Sequence, residues 1–105
     1  MRWQLGRQNS GYYKFRVISK WFFDCYILKF VEGSVIKPHT DKVTSKKHYR
    51  LNIILAHAEK GGEFNCTKYI VNKKYFKLFR PDLYTHSVTE ITKGTRYVLS
   101  IGIAI

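Results

Sequence analysis

His39 and Asp41 stand one residue apart in IKPHTD, and a further nitrogen donor, His86, stands in YTHSV. In an extended segment alternate side chains point the same way, so His39 and Asp41 converge on one point. Two neighbouring ligands do not make a metal site. With His86 as the third, two imidazoles and one carboxylate occupy one face of an ion and leave three positions open. That donor set suits Fe(II) with a bidentate cosubstrate and dioxygen. A lone H-x-D also arises by chance, and the competing reading is a pair of surface polar residues without a metal. Arg96 follows His86 by ten residues, behind the turn Lys93-Gly94-Thr95. Its planar fork can hold a carboxylate through two charge-assisted hydrogen bonds. A three-residue hairpin loop with Gly94 left-handed predicts the pairs Thr92 with Arg96, Val88 with Ser100 and His86 with Gly102. Arg96, Val98 and Ser100 then share the face of His86 and Val88. The alternative for Arg96 is an exposed strand arginine.

Strands must position these groups. No stretch keeps a helical apolar face with caps, whereas period two is common. Tyr13, Phe15 and Val17 alternate with Lys14 and Arg16. Further strands are predicted over 21–31, 34–41, 49–57, 63–71, 75–80, 84–91 and 96–104. Pro38 marks an edge or a bulge in its strand. Turns fall at Lys60-Gly61-Gly62, Asn72-Lys73-Lys74 and Arg80-Pro81-Asp82. About eight short, evenly spaced strands predict an all-β sandwich, jelly roll or small barrel.

The chain has 105 residues, which predicts one domain spanning 1–105. Apolar residues make up 45% and aromatics 16%, enough for a folded core rather than a disordered tail. No apolar run approaches the roughly 20 residues of a membrane helix, and no secretory leader is read at the N-terminus. Cys25 and Cys66 do not make a disulfide framework, and a reduced, cytoplasmic setting is expected. The net charge of +12 predicts attraction to polyanions. Two clusters carry it: Lys37, Lys42, Lys46, Lys47 and Arg50, then Lys68, Lys73, Lys74, Lys77 and Arg80. The second is interleaved with Tyr69, Tyr75, Phe76 and Phe79, a pattern that suits a nucleic acid and equally a solvated face over core aromatics. A non-catalytic basic β-barrel that binds nucleic acid or an acidic protein would account for the charge.

The blocks FVEGSVIKPHTD, YRLNIIL, GGEF and LFRPDLYTHSVTEITKGTRYVLSIG resemble the 2-oxoglutarate- and Fe(II)-dependent dioxygenases, closest to the prolyl-4-hydroxylase-like branch. The similarity covers roughly residues 26–105, and H-x-V followed by G-T-R-Y is its specific part. It implies a double-stranded β-helix, a jelly-roll or cupin-like barrel with little or no helix. It implies iron held by His39, Asp41 and His86, and 2-oxoglutarate held through Arg96. Ser100 and Asn52 match polar positions near the cosubstrate, and Val88 should pack against its methylenes. The implied reaction hydroxylates a substrate with O2 and releases succinate and CO2, with ascorbate as a stimulant. The usual substrate of the branch is a peptidyl proline or another side chain, and the charge adds nucleic acid. Lys42, Lys46, Lys47, Arg50 and Tyr84 are the candidates for binding it. Relatives carry a tyrosine where this chain has Phe30, so a hydroxyl contact must come from elsewhere, with Tyr49, Tyr84 and Lys29 as candidates. The upstream helices are almost absent, as in short phage and bacterial forms, so a partner or second copy is expected to complete the surface.

The remaining residues have plainer expectations. His48 and His57 are expected at exposed positions. Cys25 and Cys66 are expected as small buried groups, and Trp3 and Trp21 as core anchors.

Overall fold

The computed structural model describes residues 3–5, 11–41 and 47–105. Twelve strands and no helix occur among the described residues: β1 (Gln4–Leu5), β2 (Tyr12–Lys20), β3 (Phe23–Phe30), β4 (Ile36–His39), β5 (His48–Ala56), β6 (Lys60–Gly61), β7 (Phe64–Cys66), β8 (Val71–Asn72), β9 (Phe76–Phe79), β10 (His86–Val88), β11 (Ile91–Lys93) and β12 (Arg96–Ala104). No helix there is long and apolar enough to cross a membrane. The count exceeds eight because two expected strands divide, and because the short β1 and β6 form where no strand was expected, β6 within the expected Lys60-Gly61-Gly62 turn. Residues 63–71 give β7 and β8, and 84–91 give β10 and β11.

The strands form a seven-stranded sheet in the order β1-β2-β3-β12-β5-β9-β8, a three-stranded sheet β4-β10-β7 and a two-stranded ribbon β11-β6. Pairing is antiparallel throughout. β4 is an edge strand, and its register against β10 slips between Ile36 and His39, so Pro38 sits where no ladder hydrogen bond is required.

β12 is the spine of the large sheet, paired with β3 on one side and β5 on the other. Arg96, Val98, Ser100 and Gly102 are buried, while Tyr97, Leu99 and Ile101 between them are half-exposed and Ile103 is exposed. The strict alternation sorts the sheet into an inner and an outer face. Register carries the sorting across it: Phe30, Leu28 and Tyr26 on β3 oppose Arg96, Val98 and Ser100, and Ile54 and Asn52 on β5 oppose Val98 and Ser100. Tyr12, Phe30, Ile54, Ile91 and Val98 make the core at one end of this inner face.

The expected hairpin between residues 84–91 and 96–104 does not form. β10 pairs with β4 and β7, and β12 pairs with β3 and β5, so Val88 does not oppose Ser100, nor His86 Gly102. The chain crosses from one sheet to the other through β11, which pairs with β6. Gly61 is what admits the crossing. It has φ 78°, and a Cβ there would lie 2.0 Å from the Glu90 carbonyl oxygen. Ile91, buried to 1% exposure, fills the core at the crossing. The chain thus gains core burial that a flat hairpin would lack.

Trp3 and Trp21 are not core anchors. Trp21 is 83% exposed at the tip between β2 and β3, and Trp3, 40% exposed, packs edge-on against Phe15 at 5.7 Å.

Candidate metal centre

The small sheet faces the inner side of the large one, and the space between them is a cavity of about 260 Å3. His39 is the last residue of β4, and His86, the first of β10, is its register partner. Their rings lie 4.3 Å apart. Asp41 lies beyond the strand end, and its backbone N–H donates to the Pro81 carbonyl at 2.7 Å. Its carboxylate reaches both imidazoles: Oδ1 is 3.5 Å from His39 Nε2, and Oδ2 is 3.4 Å from His86 Nε2. One donor atom from each of the three residues lies within 4.8 Å of the others.

Each histidine is oriented by the backbone carbonyl two residues before it. His39 Nδ1 bonds the Lys37 carbonyl at 2.7 Å, and His86 Nδ1 bonds the Tyr84 carbonyl at 2.9 Å. A carbonyl only accepts, so Nδ1 carries the proton in both rings and Nε2 presents its lone pair to the shared point. Such a backbone partner fixes the tautomer that a metal ligand needs. Phe79, with its ring centroid 5.2 Å from that of His86, and Phe64, 6.1 Å away, wall His86 from solvent. The cluster could hold a metal ion.

Arg96 lines the same cavity from β12. It is 3% exposed, its guanidinium stands 5.0 Å over the Phe30 ring, and Tyr12 stacks on the same ring at 4.9 Å. No hydrogen bond or ion pair to the Arg96 guanidinium occurs among the described residues. Desolvation pushes its pKa down to about 10. Phe30, which replaces the expected tyrosine, therefore serves as a platform for the arginine rather than as a hydroxyl donor.

A second arginine behaves oppositely. Arg50 Nη1 donates to Ser100 Oγ at 2.7 Å, and Nη2 donates to both carboxylate oxygens of Asp24 at 2.9 and 3.0 Å. Ser100 Oγ donates in turn to Asn52 Oδ1 at 2.7 Å. Gly102 makes the arrangement feasible. It lies between Arg50 and Asp24 in register, and a Cβ there would stand 2.2 Å from Arg50 Nη2. The guanidinium crosses β12 through the space a side chain would fill.

Of the remaining expected cosubstrate residues, Val88 and Asn52 are buried and line the cavity, whereas Ser100 is held beneath Arg50 and Asn52 and is not among the lining residues. Of the expected substrate residues, Arg50 lines the cavity and Lys47 is exposed, its backbone paired with Ile105. Tyr84 contributes its carbonyl to His86. Lys42 and Lys46 lie outside the described residues. None of the three candidates for the missing hydroxyl lines the cavity. Tyr49 and Lys29 have the parity of the outer face, opposite Ile103 and Tyr97, and Arg80 covers the Tyr49 ring at 5.4 Å. The hydroxyl-bearing residues that do line it are Tyr12, Tyr26 and Ser87, with Lys14 Nζ 5.2 Å over the Tyr26 ring. The signal for the two tyrosines in the sequence was parity alone: 12 and 14, and 26, 28 and 30, alternate in step.

His48 is not an exposed loop residue. It opens β5 half-buried, and its Nδ1 is buried without a hydrogen-bond partner. Burial first, and then the Arg50 charge, lower its pKa. His57 is exposed, as expected. Both cysteines are free thiols, and burial raises their pKa. In the second basic cluster, Phe79 is core, Lys77 bonds Asn72 at 2.6 Å, and Arg80 is paired with Asp82 at 2.5 Å. Less of that charge is available to a polyanion than its sequence count implies.

No protein-family model and no curated protein matches the chain. Solved structures do. The cupin domain of Schizosaccharomyces pombe Cnp3 superposes with a TM-score of 0.68 at 13% identity, covering 100% of this chain and 69% of that one. The chain has a cupin fold. KdgF from Halomonas sp. gives the same TM-score at 16% identity, covering 100% of this chain and 87% of that one. A chain of the Rhodobacter sphaeroides SigE complex with the anti-sigma ChrR gives 0.58 at 14% identity, over 98% of this chain and 48% of that one. At such identities the cupin barrel is what is shared, and the choice of ligand rests on the side chains described above.

Proposed function

We propose that this cupin is an Fe(II)- and 2-oxoglutarate-dependent oxygenase that hydroxylates a substrate at the cavity mouth. One observation carries the reading: a buried guanidinium, with no carboxylate partner among the described residues, shares a cavity with a His-Asp-His cluster. A buried charge is costly unless it is paired, so Arg96 is a cation awaiting an anion. Arg50 is already neutralised by Asp24, so the cavity sets Lys14 and Arg96 against Asp41, a balance that favours an anion over a neutral ligand. Its volume lies just under the usual range of ligand cavities and suits a compact acid.

His39, Asp41 and His86 would hold the metal, and their two nitrogens and one oxygen fit Fe(II). When bound, Fe(II) supplies dioxygen activation coupled to oxidation of 2-oxoglutarate to succinate and CO2. The chain supplies the rest. Arg96 binds the far carboxylate, and the stack of Phe30 and Tyr12 keeps its plane fixed. Leu28 and Val88 contact the methylenes between the carboxylates. Asn52, held by Ser100, keeps a polar group turned to the cavity. Phe64 and Phe79 exclude water around His86. The substrate is a peptidyl side chain such as proline, or a nucleic acid, delivered to a basic surface. A non-catalytic polyanion-binding cupin would account for the net charge and leave the buried Arg96 without a purpose.

The test is succinate formation from 2-oxoglutarate with Fe(II) and ascorbate, across peptide, nucleotide and DNA substrates. Wild type is expected to form succinate in step with one of these classes, and His86→Ala to form none. Equal turnover in His86→Ala would sink the assignment.

A further inference from the structure

A second cavity, of about 360 Å3, is lined by none of the metal-cluster residues. Arg96 and Phe64 line both cavities and form the wall between them. Gly62 makes room for that wall, since a Cβ there would stand 2.8 Å from Ile91 Cγ1 and 3.4 Å from Arg96 Cδ. A guanidinium carries five N–H donors. A carboxylate held through the fork takes two of them and leaves three. In Arg96 those three are buried, and a buried donor without an acceptor is costly. A ligand in the first cavity therefore does not satisfy Arg96 by itself.

Two lysines reach the second cavity. Lys77 opposes Asn52 in the register of β9 against β5, so it has the inner-face parity of Asn52 and Phe79, where a sheet ordinarily places an apolar side chain. It is half-buried, and its Nζ donates to Asn72 Oδ1 at 2.6 Å, an uncharged acceptor that leaves the lysine charge in place. Lys74, in the turn before β9, stands with Nζ 5.5 Å over the Tyr75 ring. Of the two acids in the lining, Glu59 is paired with Lys93 at 3.3 Å, which leaves Glu63 against three cations.

We propose that the second cavity binds a small phosphomonoester, its phosphate held by Arg96, Lys74 and Lys77. Three cationic groups, from β12, β9 and the turn before β9, suit the three terminal oxygens of a phosphate better than the two of a carboxylate. The volume falls within the usual range for a bound small molecule and exceeds what free phosphate needs. Ile54, Ala58 and Phe64 offer an apolar wall to the organic part. Arg96 then serves two anions. Ligands on opposite edges of one guanidinium stand about 8 Å apart. Two unit charges at that distance, in an effective dielectric of about 20, weaken each other's binding roughly thirtyfold. The cation between them offsets part of this, so the phosphoester antagonises 2-oxoglutarate about tenfold, and 2-oxoglutarate antagonises it by the same factor. That antagonism rests on the oxygenase reading, whereas the second site does not.

The test is isothermal titration calorimetry of the full chain with Mn(II), on wild type, Lys74→Gln, Lys77→Gln and Arg96→Met, with circular dichroism as the check on folding. Phenyl phosphate is the probe, and wild type should bind it about tenfold more tightly than inorganic phosphate, through burial of the ring. Each lysine variant should weaken phenyl phosphate about tenfold and leave 2-oxoglutarate binding unchanged. Arg96→Met should weaken both ligands about a hundredfold. Lys74 is exposed, so its variant decides should Lys77→Gln not fold. In wild type, rising phenyl phosphate should weaken 2-oxoglutarate to a limit of about tenfold, the mark of two coupled sites. Weakening that grows without limit places both ligands in one cavity and overturns the proposal. Inorganic phosphate bound as tightly as the ester, undiminished phenyl phosphate binding in folded Lys74→Gln or in Arg96→Met, or no binding to wild type, overturns it equally. Should 2-oxoglutarate fail to bind wild type, the oxygenase reading falls, and loss of phenyl phosphate in the lysine and Arg96 variants still upholds the second site.

Discussion

Replacing Arg96 by methionine should make the unliganded protein more stable while removing its response to 2-oxoglutarate. The guanidinium is 3% exposed and has no ion-pair partner among the described residues, and desolvation lowers its pKa well below the usual guanidinium range, to about 10. At 1.36 kcal/mol per decade this penalises the charged form by roughly 3 kcal/mol. The contact with Phe30 returns about 1–2 kcal/mol. Methionine keeps the length and removes both effects, for a net gain of about 1–2 kcal/mol. In a chain of this size that raises the melting temperature by about 4–8 °C. The penalty is whole below pH 10, since the folded protein binds this proton less tightly than the unfolded chain does. It fades as pH rises above 10 towards the unfolded chain's higher value, so the gap between variant and wild type should narrow above pH 10. Ligand reverses the order. At 100 times its dissociation constant 2-oxoglutarate adds about 2.7 kcal/mol to wild type, or about 10 °C. Losing one member of a buried charge pair costs about 3–5 kcal/mol, so the variant should bind two to three orders of magnitude more weakly. The assay is thermal melting of both proteins with Mn(II), with and without 2-oxoglutarate, at pH 7.5 and pH 10.5. A variant less stable than wild type, with an undiminished response to ligand, would refute the reasoning, because Arg96 would then be neither unpaired nor the anchor.

Two other perturbations follow from the same face of the sheet. Gly102→Ala places a Cβ against Arg50 Nη2 and should break the bridge to Asp24, whose partners are 17% and 27% exposed. Partial exposure puts the cost below that of a fully buried pair, at about 1–3 kcal/mol in urea unfolding; a change under about 0.5 kcal/mol would show that the bridge re-forms around the methyl group. His48 has its pKa lowered in the fold, chiefly by burial, so the unfolded chain takes up the proton first as pH falls. Its contribution is whole above pH 6.5 and lost below it, and His48→Leu should flatten the fall in stability between pH 7 and pH 5; an equally steep fall in the variant assigns the loss to other groups.

The strands were legible because β-branched and aromatic residues crowd into short runs between Gly, Pro and Asn signals, and those signals are local. The cluster at His39, Asp41 and His86 was legible for the same reason, since spacing within one extended segment brings two of its members together. What the sequence did not disclose depends on pairings distant along the chain. Residues 84–104 look like a hairpin, and only the tight approach of Gly61 to Glu90 tells that the chain changes sheet between them. Arg96 reaches the expected cavity nonetheless, because parity along β12 is independent of which strand pairs with it. Tyr12 escaped notice for want of that parity, and Arg50 was expected on a substrate surface rather than across β12 against Asp24. With Leu51 and Ile53 on one side of β5 and Asn52 and Ile54 on the other, hydrophobicity does not say which face is inner. The exposure of Trp21 had the same cause: an aromatic at a hairpin tip has the composition of a core residue and the position of a loop.

The central place of β12 orders events during synthesis. Residues 23–30 leave the ribosome early, with an apolar edge that has β2 on one side and nothing yet on the other. Their second partner, residues 96–104, is made about seventy residues later. Until then β3 and β5 both present unpaired backbone along greasy strands, the condition under which nascent chains stick to one another. The pairing that resolves this is non-local and therefore slow. Arg96, Ser100 and Gly102 all arrive on that late strand, so the anion anchor, the support of Asn52 and the passage for Arg50 come into being together. A nascent chain lacking β12 has no half-built cavity with partial affinity. It depends on a chaperone or on speed, and slowing translation within codons 57–95 should lower the soluble yield more than slowing it before codon 23, when β3 has not yet been made.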